Sequence, residues 1–190
     1  MSEATSALAG ARSSGIVEVT EAGLQGMITV RGDLADPAII SAIKDAVGAD
    51  VPAIRQSTKV KNDRLLWMSS DELMLVCPYE EAESRVQVLR AALKKHHHLI
   101  AIVSDARAQF TLSGNGAAIR EVLAKLSPAD LRASALPVDE VRRTRIAQVA
   151  AAFWFESDNQ AQLVCFRSVA MYVFDLLKAS SASGSAVEYF

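Results

Sequence analysis

The sequence predicts an α+β fold made of two copies of a strand–helix–hairpin–helix unit, and three observations carry that prediction. The first is a matched strand and turn: Ile28-Thr29-Val30-Arg31-Gly32 parallels Phe110-Thr111-Leu112-Ser113-Gly114. The second is a matched hairpin, in which Leu66-Trp67-Met68, Ser70-Asp71 and Leu75-Val76-Cys77 parallel Phe153-Trp154-Phe155, Ser157-Asp158 and Leu163-Val164-Cys165. The third is that the parallel continues into a helix, with Val88-Leu89-Arg90-Ala91 falling on Leu176-Leu177-Lys178-Ala179. Agreement in order along the whole length marks an internal duplication. The tryptophans lie 87 residues apart and the cysteines 88, which places a one-residue difference in the hairpin turn.

In chain order, residues 1–15 are rich in Ser, Ala and Gly and read as a mobile arm. Ile16 to Thr20 reads as a short strand and Met27 to Val30 as a firmer one, turned by Arg31-Gly32-Asp33. Asp36-Pro37 opens a helix with an acidic cap and proline at its first position; Ile39, Ile40, Ile43 and Val47 face inward, and Gly48 ends it. Ala49 to Asp63 reads as polar and irregular. Leu65 to Met68 and Leu73 to Cys77 form a hairpin, Pro78 stops it, and Glu80 to Lys95 makes an amphipathic helix with its acids first and its lysines last. Leu99 to Val103 is an added strand, with a polar kink at Ser104, Asp105 and Ala106.

The second copy opens with the strand Ala108 to Leu112 and a turn at Gly114 and Gly116 before a helix carrying Ile119, Val122, Leu123 and Leu126. Ser127 to Leu136 reads as a loop or short helical turn, and Val141 to Arg145 leads into a strand beginning at Ile146. Ala151 to Phe155 and Gln162 to Phe166 form the second hairpin. The helix Ser168 to Ala179 is apolar almost all round, so it should be covered on more than one side. Residues 181–190 read as a flexible tail with an aromatic end. The expected domain is residues 16–180, with lobes of about 16–106 and 107–180, and Trp67 and Trp154 are expected at equivalent core positions.

A chain of 190 residues can bury a proper core, and 51% hydrophobic residues is the composition of a soluble protein. A net charge of −2 gives no basis for nucleic-acid binding, and no apolar run approaches the length of a membrane helix. The N-terminus lacks the pattern of a signal peptide, and the two cysteines read as reduced and buried, as in a cytoplasm.

The constellations that could carry chemistry read as structural. His96, His97 and His98 are consecutive, point different ways and lack partners at metal-ligand spacing. Gly114-Asn115-Gly116 lacks the remainder of a phosphate loop. Cys77 and Cys165 sit in apolar strands with no base in sequence reach. Ser104-Asp105-Ala106-Arg107 could hold a functional carboxylate, although an acid and a base flanking a kink often satisfy the backbone and each other. Arg142, Arg143 and Arg145 are the one basic cluster; alternation would put Arg143 and Arg145 on one face, fit either to grip an acidic partner or to stay solvated. No catalytic, cofactor-binding or metal-binding residue is expected, and the candidate partner-interface residues are Arg143, Arg145, Met171, Tyr172 and Phe174.

An ordered set of segments resembles a known family. Val30-Arg31-Gly32-Asp33, Leu66-Trp67-Met68 with Asp71-Glu72, Val103-Ser104-Asp105-Ala106-Arg107, Leu112-Ser113-Gly114, Arg143-Thr144-Arg145 and Arg167-Ser168 with Ala170 resemble the gamma subunit of bacterial heterotetrameric sarcosine oxidase. The likeness runs from about Val19 to Leu177. It implies the fold of the folate-binding T-protein (aminomethyltransferase), to which residues 104–118 are similar. It also implies a complex that oxidises sarcosine to glycine, passes the methyl carbon to tetrahydrofolate or releases formaldehyde, and forms hydrogen peroxide. By the same resemblance the alpha, beta and delta subunits are the partners, and FAD, FMN, NAD, zinc and tetrahydrofolate belong to those other subunits, leaving this chain a structural role. The T-protein's folate-binding carboxylate has no counterpart here. A free-standing folate-binding module is the alternative expectation.

Overall fold

The computed structural model describes residues 4–190. The chain forms two compact units: Gln25–Asp105, and the residues up to Leu24 together with Ala106–Phe190. The expected lobe start near residue 16 is thus corrected to Gln25, because the N-terminal strands belong with the second copy, whereas the break expected near residue 106 falls at Asp105.

In the unit Gln25–Asp105, strand β3 (Gln25–Gly32) leads to helix α1 (Pro37–Val47), then β4 (Ser57–Val60), β5 (Asp63–Ser69), β6 (Glu72–Pro78), helix α2 (Ala82–Leu93) and β7 (His98–Ile102). Its sheet runs β4-β5-β6-β3-β7, every neighbouring pair antiparallel. Asp36 caps α1 as expected, accepting from the Ala38 amide at 2.8 Å, and Gly48 closes it in the left-handed region at φ 77°, where a side chain would be strained. The stretch expected to be irregular holds β4, which four polar or β-branched residues form by pairing with β5.

The other unit begins with β1 (Arg12–Ser14) and β2 (Val17–Glu21) and resumes with β8 (Arg107–Gly114), helix α3 (Gly116–Ala124), β9 (Val141–Ile146), β10 (Val149–Ser157), β11 (Gln160–Phe166) and helix α4 (Ala170–Ser180). Its sheet runs β1-β2-β8-β11-β10-β9. From β9 inward this is the order of the first sheet, which is the duplication in three dimensions. The two copies exchange strands: β2 precedes β3 in the chain but pairs with β8, whereas β7 precedes β8 but pairs with β3.

Ladder register corrects the expected alignment of the hairpins. Trp67 faces Leu73 and Phe155 faces Ala161; Leu66 faces Met74 and Trp154 faces Gln162. The equivalences are therefore Trp67 with Phe155 and Leu66 with Trp154, at the same spacing of 88 as the cysteines. Both hairpins carry an irregularity just before the turn, after Trp67 and after Phe155. Side chains alternate across a strand, so one residue of slip puts the two tryptophans on opposite faces. Trp67 packs against the core of Ile28, Leu65, Leu75, Leu89 and Leu93, while Trp154 lies on the other face from the core of Phe110, Phe153, Phe155, Leu163 and Leu177.

The arm and the tail are corrected as well. Met1 to Glu3 lie outside the described residues, but Ala7, Leu8 and Ala11 pack on the core and β1 pairs with β2. The cause is Glu21, buried and accepting from Ser6 Oγ at 2.8 Å and from the Gly10 amide at 2.7 Å. Ser181 is fully buried, and its carbonyl accepts from the Ile16 amide at 2.7 Å. Further along, the Glu121 carboxylate accepts from the amides of Val187 and Glu188 at 2.7 and 2.8 Å.

That carboxylate gives a pH prediction. The Lys125 ammonium, 2.9 Å away, holds Glu121 below its ordinary value first, and the Val187 amide adds to this. A depressed carboxyl stabilises docking fully above the unfolded value of 4.5, and that contribution is lost as pH falls through the lower folded value. Proteolysis of the last six residues is expected to quicken under acid, and Glu121→Gln is expected to show the same rapid cleavage at neutral pH. Equal cleavage of the variant and the parent chain would refute this.

Candidate functional site

A cleft of about 490 Å³ lies at the start of α3, lined by Gly116, Ala117, Arg120, Arg132, Asp158, Tyr189 and Phe190. Asn115 caps α3 beside the cleft, accepting from the Ala117 and Ala118 amides at 2.9 and 3.4 Å. This confirms Gly114-Asn115-Gly116 as a strand-to-helix turn. Gly116 is required by close approach, since a Cβ there would stand 2.2 Å from the Asp158 carbonyl oxygen. Gly116→Ala is expected to cost about 1–3 kcal/mol, the scale of overpacking, read from the denaturation midpoint. No change in midpoint would show that the hairpin turn yields freely.

Arg120 is buried, donates to the Leu131 and Leu136 carbonyls at 2.8 and 3.0 Å and lies 4.2 Å over the Phe155 ring. Burial lowers its pKa. It therefore pins the loop 127–140 to α3. Arg132 is held by Asp130 through paired nitrogens, and the guanidinium draws the Asp130 carboxyl down to about 2. The cleft thus offers fixed charge and aromatic walls, with no nucleophile beside a base.

The cysteines behave as core residues. Burial pushes the Cys77 thiol up to about 11 and the Cys165 thiol up to about 12, so both stay protonated at neutral pH. The histidines do not converge: His98 Nδ1 lies 2.9 Å from the His96 carbonyl, and no group of metal-ligating side chains occurs among the described residues. Ser104 is buried and accepts from the Met27 amide at 2.9 Å, while Asp105 accepts from the Tyr79 hydroxyl at 3.1 Å. Asp105 and Arg107 thus engage Tyr79 and the Phe166 ring, not each other.

The partner-interface candidates divide. Arg143 and Arg145 are exposed on one face of β9, an edge strand, while Arg142 turns the other way to the Glu140 carboxylate and the Ala135 carbonyl. Met171 and Tyr172 are 58% and 43% exposed at the start of α4, and Phe166 adds to that apolar surface with Arg107 3.9 Å over its ring. Phe174 is a correction: it is buried and stacks on Phe110 at 6.2 Å, so it serves the core. The helix expected to be covered on more than one side is packed through Ala170, Val173, Phe174 and Leu177, with Met171 and Tyr172 left exposed. The exposed Tyr189 and Val187 of the tail were not singled out by the sequence, which marks only an aromatic ending.

Known proteins bear on this geometry. A sequence model of the "Sarcosine oxidase, gamma subunit family" matches residues 31–183. No curated protein matches the chain at a significant level. Among solved structures, a chain of the heterotetrameric sarcosine oxidase from Corynebacterium sp. U-96, in complex with pyrrole 2-carboxylate, is 22% identical with a TM-score of 0.77, over 92% of this chain and 91% of that one. The glycine cleavage system aminomethyltransferase T from Bartonella henselae is 16% identical with a TM-score of 0.65, over 90% of this chain and 48% of its own length. At such identities these likenesses show the fold alone.

Proposed function

The chain belongs to the sarcosine oxidase gamma subunit family, and from that premise we propose that it is a non-catalytic subunit supporting the chains that carry the chemistry. The observation that carries this reading is the family match over residues 31–183. The neutral buried thiols and a cleft with no nucleophile–base pair support it. The reaction of the whole assembly is the oxidation of sarcosine to glycine, with the methyl carbon passed to tetrahydrofolate or released as formaldehyde and hydrogen peroxide formed. In this reading FAD, FMN, NAD, zinc and the folate site belong to alpha, beta and delta subunits in the cytoplasm. No helix among the described residues is long and apolar enough to cross a membrane.

Co-expression with and without this chain tests the proposal. Omitting it is expected to cut the yield of assembled oxidase while the folded oxidase that does form keeps its sarcosine turnover per flavin. Turnover of sarcosine by this chain alone would overturn it. The likeness to aminomethyltransferase T favours one second reading, a free-standing folate-binding module. Saturable binding of tetrahydrofolate to the isolated chain would establish that reading instead.

The exposure of Arg143 and Arg145 on the edge strand β9 supports a contact there. Arg143→Glu with Arg145→Glu is expected to lower co-purification with the partner subunits by about tenfold, the scale of charge pairs at an interface, with an unchanged melting temperature. Undiminished co-purification would remove β9 from the interface.

A further inference from the structure

The two copies differ at one sheet edge. β2 carries β1 on its outer side, with Arg12 opposite Thr20 and Ser14 opposite Glu18. At the equivalent place in the other unit β7 is the last strand, and no strand among the described residues pairs with its outer side. The Val103 amide donates to the Met27 carbonyl at 2.8 Å. By antiparallel alternation Ala101 and Leu99 also turn their amides to β3, which leaves those of His98, Ile100 and Ile102 aimed outward. Leu99 and Ile102 are 53% and 41% exposed along this edge. Proteins usually blunt such an edge with charge, proline or a bulge, and His-Leu-Ile-Ala-Ile carries none of these in its own sequence. Arg90 reaches its outer side at the Ile100 carbonyl, leaving the outward amides of His98, Ile100 and Ile102 to a partner.

We propose that β7 receives an extended acidic segment of a partner subunit as an added strand. This rests on the reading that the chain assembles with other oxidase subunits. The internal template is β1, which shows that the same position in the other copy accepts a short antiparallel strand. The charge comes from the rim. Arg90 donates to the outward Ile100 carbonyl at 3.3 Å, and the exposed Lys94 and Lys95 stand just before the strand. The acid nearest the far end, Asp105, is engaged by Tyr79. A second copy pairing through the same edge would bring another Arg90 to its middle, like charge against like. Main-chain bonds give such an addition its affinity and the basic rim selects carboxylates.

The test uses the full chain co-expressed with its partner subunits and compares Ile102→Pro with Ile102→Thr. Proline removes an outward N–H that β3 does not use, whereas threonine keeps it. Both variants are expected to melt together, and only the proline variant is expected to lose co-purification, by about tenfold or more. Exchange of the Ile100 and Ile102 amides in the unmutated chain is expected to slow on assembly, and Lys94→Glu with Lys95→Glu to weaken assembly most at low salt. Fast exchange of those amides in the assembled complex overturns the strand addition even if the proline variant fails to fold. So does protection of the amides in the free chain by self-association. Assembly with these amides unprotected overturns this inference alone, whereas a parent chain that never co-purifies overturns the underlying reading and this one with it.

Discussion

Removal of residues 1–21 is expected to unfold the unit of Ala106–Phe190 while leaving Gln25–Asp105 folded. The truncation takes away β1 and β2, including Val17 and Val19, which are 2% and 0% exposed in the core beside Phe110 and Leu112. Each buried valine is worth about 1.5–3 kcal/mol, and β8 would lose its ladder from Val17 to Glu21 in the same step. Against a total stability of about 5–15 kcal/mol, that loss is decisive. The unit Gln25–Asp105 already holds its full sheet, because β7 supplies its fifth strand. Hydrogen exchange is the measurement: amides of β3 and β6 are expected to stay protected and those of β8 and β11 to exchange freely. Retained protection in β11 would contradict the exchange of strands between copies.

The second large effect separates the tryptophans. Trp154 is 1% exposed, and Trp154→Ala is expected to cost about 3–5 kcal/mol, the range for emptying a buried aromatic site. Its indole N–H finds no acceptor among the described residues, so Trp154→Phe keeps most of the packing, relieves an unsatisfied donor and is expected to cost far less. Trp67 is only half-buried against its core, and Trp67→Ala is expected to cost about 1–2 kcal/mol, because a partly exposed site leaves less of a cavity. Denaturant unfolding of the three variants checks the order. Equal costs for the two alanine variants would mean that the tryptophans are equivalent after all.

The order of effects turns on a detail that sequence matching could not resolve. Aligning Trp67 with Trp154 is the natural choice for a reader of letters, since tryptophan is rare and the neighbouring apolar residues agree. The ladder decides otherwise, because the hairpin turns Ser70-Asp71 and Asp158-Asn159 are equal in length and fix the register through the strands behind them. The cysteines carry the true spacing and keep equivalent places in the two cores. Phe174 fails as an interface residue for a similar reason. An apolar helix shows by its sequence that it has greasy surface, but which part remains open depends on the sheet beneath it.

What the sequence by itself determined is the local grammar: the strand, helix and hairpin of each copy, the cap at Asp36 and the turn at Gly114-Asn115-Gly116. Periodicity, turn residues and caps act over a few positions, so they are written where they act. Only the tertiary structure decided which copy each added strand joins, that Glu21 and Glu121 fasten segments composed like loose ends, and that β7 keeps an open edge. Those outcomes rest on hydrogen bonds between residues far apart in the chain, and composition at one end of such a bond carries no mark of its partner at the other.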